Sequence, residues 1–301
     1  RTYIIELGKY DLVKLDKIAR DVCFKTREFS QKTFDDSLDN ELKEKLNEFN
    51  KKHFPNPEFK RNVLKGIIKD EKQYGEEKLK QFLAENKKFF ENHGTKDKSG
   101  LLNEKDMNSF LYKWFSKRVR QELFYYIKFL EKVNDEKLEN ALMIILSRTA
   151  RSCRATKHSD LATLTEPQIG PYYCAKHKKI CTPINSIIKH LIRYTYDNIK
   201  RLKEFSALKK DVYAEVIHGD SREVNLFDEI KKQNQEFSKI LSNKKIDGVF
   251  TSPPYVGQID YHEQHAYSYE LFNIPRKDNK EIGPLFKGQG KQAKDEYVEG
   301  I

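Results

Sequence analysis

The sequence predicts an α/β protein in which a strand–helix–strand unit follows a long, mostly helical region. Three observations carry that reading. Apolar residues recur at helical spacing across 9–135, and again across 182–205. Beyond residue 210 the pattern changes to two short apolar runs, 212–218 and 246–250, around a helical stretch over 222–243. The second run leads into Thr251-Ser252-Pro253-Pro254-Tyr255. A loop at the C-terminal end of a strand is where α/β folds place their ligands.

Leu12, Leu15, Ile18, Ala19 and Val22 mark the first helix; Leu38, Leu42, Leu46 and Phe49 mark the second. His53-Phe54-Pro55-Asn56-Pro57 breaks the pattern. A charged helix is expected over 59–92, ending near Gly94. The next starts at Asn103 or Asp106 and carries Phe110, Trp114, Val119, Leu123, Tyr126 and Leu130. Another spans 135–151, with Leu138, Leu142, Ile145 and Leu146 inward. Residues 153–182 mix Cys, His, Pro and Gly and read as a loop. Thr182-Pro183 opens a further helix, with Pro in the first turn where its missing N–H costs nothing. Ile184, Ile187, Ile188, Leu191, Ile192, Ile199, Leu202 and Phe205 form its apolar face.

Composition narrows the class. The 301 residues carry 57 Lys+Arg against 46 Asp+Glu, a net charge of +11. At 12% aromatic the chain is too rich for a disordered one. No apolar run approaches the roughly 20 residues a bilayer needs. Four cysteines make no disulfide framework, which points to a reduced, cytoplasmic setting. Glycine is scarce, at 13 residues.

The charge is concentrated. Residues 1–150 hold 32 basic and 26 acidic side chains, while 151–210 hold 13 and 4, a net of +9. Residues 211–301 are net −4, with 12 basic and 16 acidic. A surface like 151–210 attracts and steers polyanions. Arg148, Arg151 and Arg154 recur every three residues, a stripe on one helix face. With Lys157, Lys176, Lys178 and Lys179 they suit phosphate contacts, and Tyr172 and Tyr173 suit base or sugar contacts. Contacts to phosphate position a protein without specifying sequence. Three regions follow: 1–152 as helical insert or scaffold, 153–210 as a basic segment and helix facing nucleic acid, and 211–301 as the α/β part. Within the basic segment, Cys153, Cys174, His177 and Cys181 are candidate zinc ligands, with His158 nearby. Cys174-x-x-His177-x-x-x-Cys181 has zinc-knuckle spacing; structural cysteines are the alternative.

The chemistry concentrates at 251–255. Two successive prolines fix the backbone and remove two N–H donors. Neighbouring carbonyls can then face a ligand, and Tyr255 adds a flat ring beside them. That suits a planar ring bearing N–H donors, such as a nucleobase with an exocyclic amine. A rigid turn ending a strand is the plainer reading. Downstream, Asp260, His262, Glu263 and His265 lie within six residues. They read as polar lining of a pocket before they read as a metal site.

Ile246-Asp-Gly-Val-Phe-Thr-Ser-Pro-Pro-Tyr255 resembles motif IV of DNA amino-methyltransferases, the class acting on N4 of cytosine or N6 of adenine. The stretch from Val216 to Glu223 (VIHGDSRE) resembles the strand-and-acid segment before that motif. The resemblance implies a Rossmann-like S-adenosylmethionine-dependent fold with a large helical insert. It also implies duplex DNA as substrate, in a restriction–modification system, with the serine form pointing to cytosine. The target base would be flipped out of the stack. Tyr255 would stack on it, while Ser252 and the Pro253 carbonyl accept from its amine, with Pro254 holding the turn rigid. Asp220 and Ser221 would lie at the cofactor.

Such folds also use a Phe-x-Gly-x-Gly loop, and the chain has none; Gly288-Gln289-Gly290 follows no expected strand. The loop is expected upstream of Arg1 or on a second subunit. Two other readings remain open: an RNA base methyltransferase, and a non-catalytic DNA-binding subunit or fragment.

Overall fold

The computed structural model describes residues 7–93, 109–158, 164, 166–210, 212–244 and 246–300. The expected helix end near Gly94 and the starts at Asn103 or Asp106 lie outside them. The chain divides into two compact units. One comprises residues 17–133 and 143–197; the other comprises 1–16, 134–142 and 198–301. The sequence boundary at 152/153 therefore falls inside one unit, because segment 153–182 packs on the preceding helices.

Helix α1 (Lys9–Thr33) buries Leu12, Leu15, Ala19 and Val22, as their spacing predicts. Helix α2 (Ser37–His53) buries Leu46 and Phe49. The helix expected over 59–92 is instead three: α3 (Glu58–Leu64), α4 (Glu71–Glu85) and α5 (Lys87–His93). Local chemistry causes both breaks. Gly66 adopts φ +71°, and Asp70 caps α4 by accepting from the Gln73 N–H at 2.8 Å. Asn86 ends α4, its Nδ2 donating to the Phe82 carbonyl at 2.9 Å. In the same way Ser116 separates α6 (Phe110–Trp114) from α7 (Lys117–Leu130), its Oγ accepting from the Val119 N–H at 3.3 Å. Helix α8 (Glu136–Ser152) buries Leu138, Leu142, Ile145 and Leu146.

Segment 153–182 is not all loop. Tyr172–Cys174 (β1) and Lys179–Cys181 (β2) pair antiparallel, with Cys174 opposite Lys179 and Tyr172 opposite Cys181. A hairpin this short needs outside support. Asn50 of α2 supplies it: its Nδ2 donates to the Ile180 carbonyl at 2.9 Å, and its Oδ1 accepts the Ile180 N–H at 3.0 Å. Tyr173 packs its ring on α4 at Gly75, where a Cβ would come within 2.4 Å of the ring. Its hydroxyl donates to Glu71 at 2.7 Å. Phe54, Phe59, Phe82 and Ile180 complete this apolar cluster.

Helix α9 (Ile188–Leu208) starts later than Thr182-Pro183 promised. The reason is Glu122 of α7, which is fully buried. Its carboxylate accepts from the Ile187 N–H at 2.7 Å, the Ser186 hydroxyl at 3.0 Å and the Ser30 hydroxyl at 2.6 Å. Arg118, also buried, donates to it at 3.0 Å and reaches Ser30 at 2.9 Å.

In the other unit, α10 (Leu226–Gln233) and α11 (Gln235–Asn243) divide the helix expected over 222–243. Asn234 makes the break, accepting from the Phe237 N–H at 3.0 Å and donating to Glu215 at 2.8 Å. The expected strands 212–218 and 246–250 are corrected: neither pairs in a sheet among the described residues, where β1–β2 is the one sheet. A strand exists only when a neighbour accepts its backbone groups. Ile246, Val249 and Phe250 are accordingly exposed, Phe250 completely. Three helices follow: α12 (Tyr261–Gln264), α13 (Ala266–Leu271) and α14 (Lys291–Gly300). No helix among the described residues is long and apolar enough to cross a membrane.

Glu122→Ala removes the buried carboxylate to which Arg118, Ser30, Ser186 and the Ile187 N–H all donate. The expected loss is about 3–5 kcal/mol of stability, read by chemical denaturation. Asp36, 2.5 Å from the guanidinium, remains its partner in that variant.

Candidate functional site

The motif loop is held from behind and open in front. Tyr297 donates its hydroxyl to the Pro254 carbonyl at 2.7 Å. Gly257 adopts φ +59° and donates its N–H to the Gly283 carbonyl at 3.0 Å. A Cβ at Gly257 would lie 2.1 Å from the Gly288 carbonyl oxygen, so only glycine lets segment 283–290 pack here. The Gln258 N–H returns to the Tyr255 carbonyl at 3.3 Å and closes the turn. Ser252 and Tyr255 are exposed, and the two prolines are half-buried. Among the described residues nothing in the chain bonds the Ser252 hydroxyl or the Pro253 carbonyl. Two acceptors and a ring therefore remain for a ligand.

Pro254 shares a cavity of about 670 Å³ with His218, Gly219, Asp220 and Ser221. That volume lies within the range of cofactor sites. The structure thus brings the acid segment and the proline motif, 34 positions apart at Asp220 and Pro254, to one place. His262, Tyr269, Ile274, Pro275, Lys277, Lys280 and Ile282 complete the wall. Of these, Lys277, Lys280 and Ile282 carry no signal in the sequence, since they sit in a loop without a motif.

Asp220 is not a free carboxylate. Arg222 grips both its oxygens, at 2.9 and 2.7 Å, and Lys280 lies at 3.5 Å. The Arg222 hydrogen bonds hold its carboxyl well below the usual carboxylate range. Across the cavity, His262 stands against Tyr269 with ring centroids 5.2 Å apart, its Nδ1 buried and unpartnered. The other polar groups of 260–265 have structural work. Asp260 caps α12, accepting from the Glu263 N–H at 2.9 Å, and Glu263 pairs with Arg276 at 3.3 Å. Tyr267 is buried.

The basic stripe does not survive folding intact. Helix α8 ends at Ser152, so Arg154 leaves the helical register and is 2% exposed, donating to the Arg151 carbonyl at 3.1 Å. Arg148 pairs with Asp197 at 2.7 Å and lies 4.6 Å over the Tyr194 ring. Lys178 pairs with Glu71. Tyr172 and Tyr173 are buried in the hairpin and unavailable for base contacts. Arg151, Lys157, Lys176 and Lys179 are exposed. The last two line a depression of about 350 Å³ with Lys60 and Lys178, floored by Phe54 and Phe59.

The cysteine set is also revised. Cys153 is buried, and burial pushes its thiol well up from the ordinary range. The donors that converge are His158, Cys174, His177 and Cys181, all within 4.8 Å of one another.

Acceptors on a proline-stiffened turn thus stand beside an exposed ring and a cavity of about 670 Å³. No family model and no solved structure matches the chain. Over 297 residues it is 51% identical to Type II methyltransferase M.MjaII of Methanocaldococcus jannaschii. That match takes in 99% of this chain and 55% of the relative, so the chain spans about half the relative's length.

Gly257→Val is expected to push segment 283–290 off the motif loop. The check is faster amide hydrogen exchange over 283–300 with little change in α1–α3.

Proposed function

We propose that the chain carries the target-amine site and the DNA-facing helical part of an S-adenosylmethionine-dependent DNA methyltransferase of a restriction–modification system. The observation that carries this reading is the Ser252 hydroxyl and Pro253 carbonyl, unbonded among the described residues, beside the exposed Tyr255 ring. Similarity to a type II methyltransferase along nearly the whole chain supports it.

The residues fit such a cofactor in kind. The cavity has the volume, apolar walls at Ile274, Pro275 and Ile282, and the fixed negative charge of Asp220. Ser221 stands at its rim. Bound S-adenosylmethionine would supply the methyl group. The chain's own part is positioning. Tyr255 stacks on the extruded base. Ser252 and the Pro253 carbonyl accept from the exocyclic amine, which turns its lone pair toward the methyl donor and stabilises the charge developing on nitrogen. Pro254, tied by Tyr297, keeps those acceptors from collapsing onto their own backbone. The serine form of the motif favours N4 of cytosine over N6 of adenine. The chain has no Phe-x-Gly-x-Gly loop, so in this reading transfer needs that loop supplied from outside these 301 residues. Arg151, Lys157, Lys176 and Lys179 are the cations left to meet phosphates.

Ser252→Ala and Tyr255→Ala, in the polypeptide that includes the glycine loop, are expected to lower methyl transfer by on the order of a hundredfold or more. DNA affinity measured at several salt concentrations should barely move. Lys176→Gln with Lys179→Gln should do the reverse, reducing the salt slope by about 1–2. Mass analysis of nucleosides from methylated duplex distinguishes N4-methylcytosine from N6-methyladenine. Methylation of RNA but not duplex DNA would overturn the proposal.

A further inference from the structure

We propose that His158, Cys174, His177 and Cys181 form a structural zinc site that locks the β1–β2 hairpin. The inference is independent of the methyl-transfer reading. It rests on the convergence of donors from four places in the fold. His158 follows the end of α8, Cys174 ends β1, His177 sits on the turn and Cys181 ends β2. One ligand atom from each lies within 4.8 Å of the other three.

Two of the six donor–donor edges already have tetrahedral length, and the whole set lies within 4.8 Å. With Zn–S of about 2.3 Å and Zn–N of about 2.0–2.1 Å, tetrahedral ligand–ligand separations are about 3.3–3.8 Å. Cys174 Sγ lies 3.7 Å from His158 Nδ1, and His177 Nδ1 lies 3.4 Å from Cys181 Sγ. Two thiolates with two imidazoles select zinc over calcium or magnesium, which take oxygen donors. All four corners are protein ligands, so the site is closed and structural, with no position left for substrate.

The Tyr172 hydroxyl lies 2.6 Å from His158 Nδ1, the nitrogen that also faces Cys174, so metal binding at that atom replaces this hydrogen bond. The other surroundings favour the metal. The two thiolates neutralise the dication, so the site adds no positive charge beside Lys176 and Lys179. The turn itself is shaped for the purpose. Lys178 takes φ +54°, and its N–H donates to the Cys174 carbonyl at 2.7 Å, which folds His177 back toward the cysteines. Strands of three residues each hold few hydrogen bonds of their own, and a metal supplies the closure they lack.

The test is metal content. Protein purified from zinc-replete medium, or metal-free protein dialysed against zinc, is expected to hold one zinc per chain. Cys153→Ser and Cys23→Ser should retain it. Cys181→Ser and Cys174→Ser should each weaken zinc by on the order of tenfold or more in competition with a chromogenic chelator. A cobalt titration of the metal-free wild-type protein needs no variant to fold. It should give the intense visible bands of tetrahedral cobalt and a thiolate charge-transfer band in the near ultraviolet. Wild-type protein without stoichiometric zinc after reconstitution, a weak octahedral cobalt spectrum, or full zinc in the folded Cys174→Ser, Cys181→Ser double variant would each overturn the proposal.

Discussion

A single buried carboxylate organises the larger helical unit. Glu122 has no access to solvent, so every lone pair it presents must be met from inside. Arg118, Ser30, Ser186 and the Ile187 N–H meet them. These groups belong to α7, α1 and the approach to α9, so one charge sets the register of three helices. The arrangement contributes little as an ion pair, because desolvation cancels most of the attraction. Its consequence is specificity: any packing that leaves Glu122 or Arg118 unpaired is penalised by several kcal/mol.

The hairpin repeats this logic with a neutral amide and, beside it, one ion pair. Asn50 satisfies both backbone groups of Ile180 and so acts as a third strand of one residue. Gly75 lets the Tyr173 ring lie against α4, and Glu71 meets both the Tyr173 hydroxyl and Lys178. The basic turn is thereby fixed on the helices at two points. The exposed Lys176 and Lys179 project from a supported base.

At the motif loop the supports lie behind and the acceptors in front. Tyr297 and the 283–290 segment occupy the Pro254 carbonyl and the Gly257 face. Ser252, the Pro253 carbonyl and Tyr255 are left outward. None of the supporting residues is visible from the motif, because Tyr297 is 42 positions downstream of Tyr255 in a helix with ordinary composition. The acid segment was legible, and the cavity joins it to the motif. The fate of Asp220 was not, since Arg222 takes its oxygens through a geometry that spacing of two residues does not imply.

Periodicity determined where helices form, because burial of one face imposes a 3.6-residue rhythm that the chain must write into itself. Leu12 to Val22 and Leu138 to Leu146 are buried where that rhythm puts them. Motif chemistry located the Ser-Pro-Pro-Tyr loop, since two prolines act locally. Three-dimensional packing settled the rest. Helix breaks at Ser116 and Asn234 depend on which way a side chain turns. The runs at 212–218 and 246–250 have strand character, but a strand is a property of two segments, and no partner stands beside them among the described residues. Three-residue spacing puts Arg154 on a helical stripe, but the helix ends two residues before it and the side chain is buried. His158, not Cys153, joins Cys174, His177 and Cys181, because convergence in space depends on how a loop returns, and spacing along the chain cannot show that.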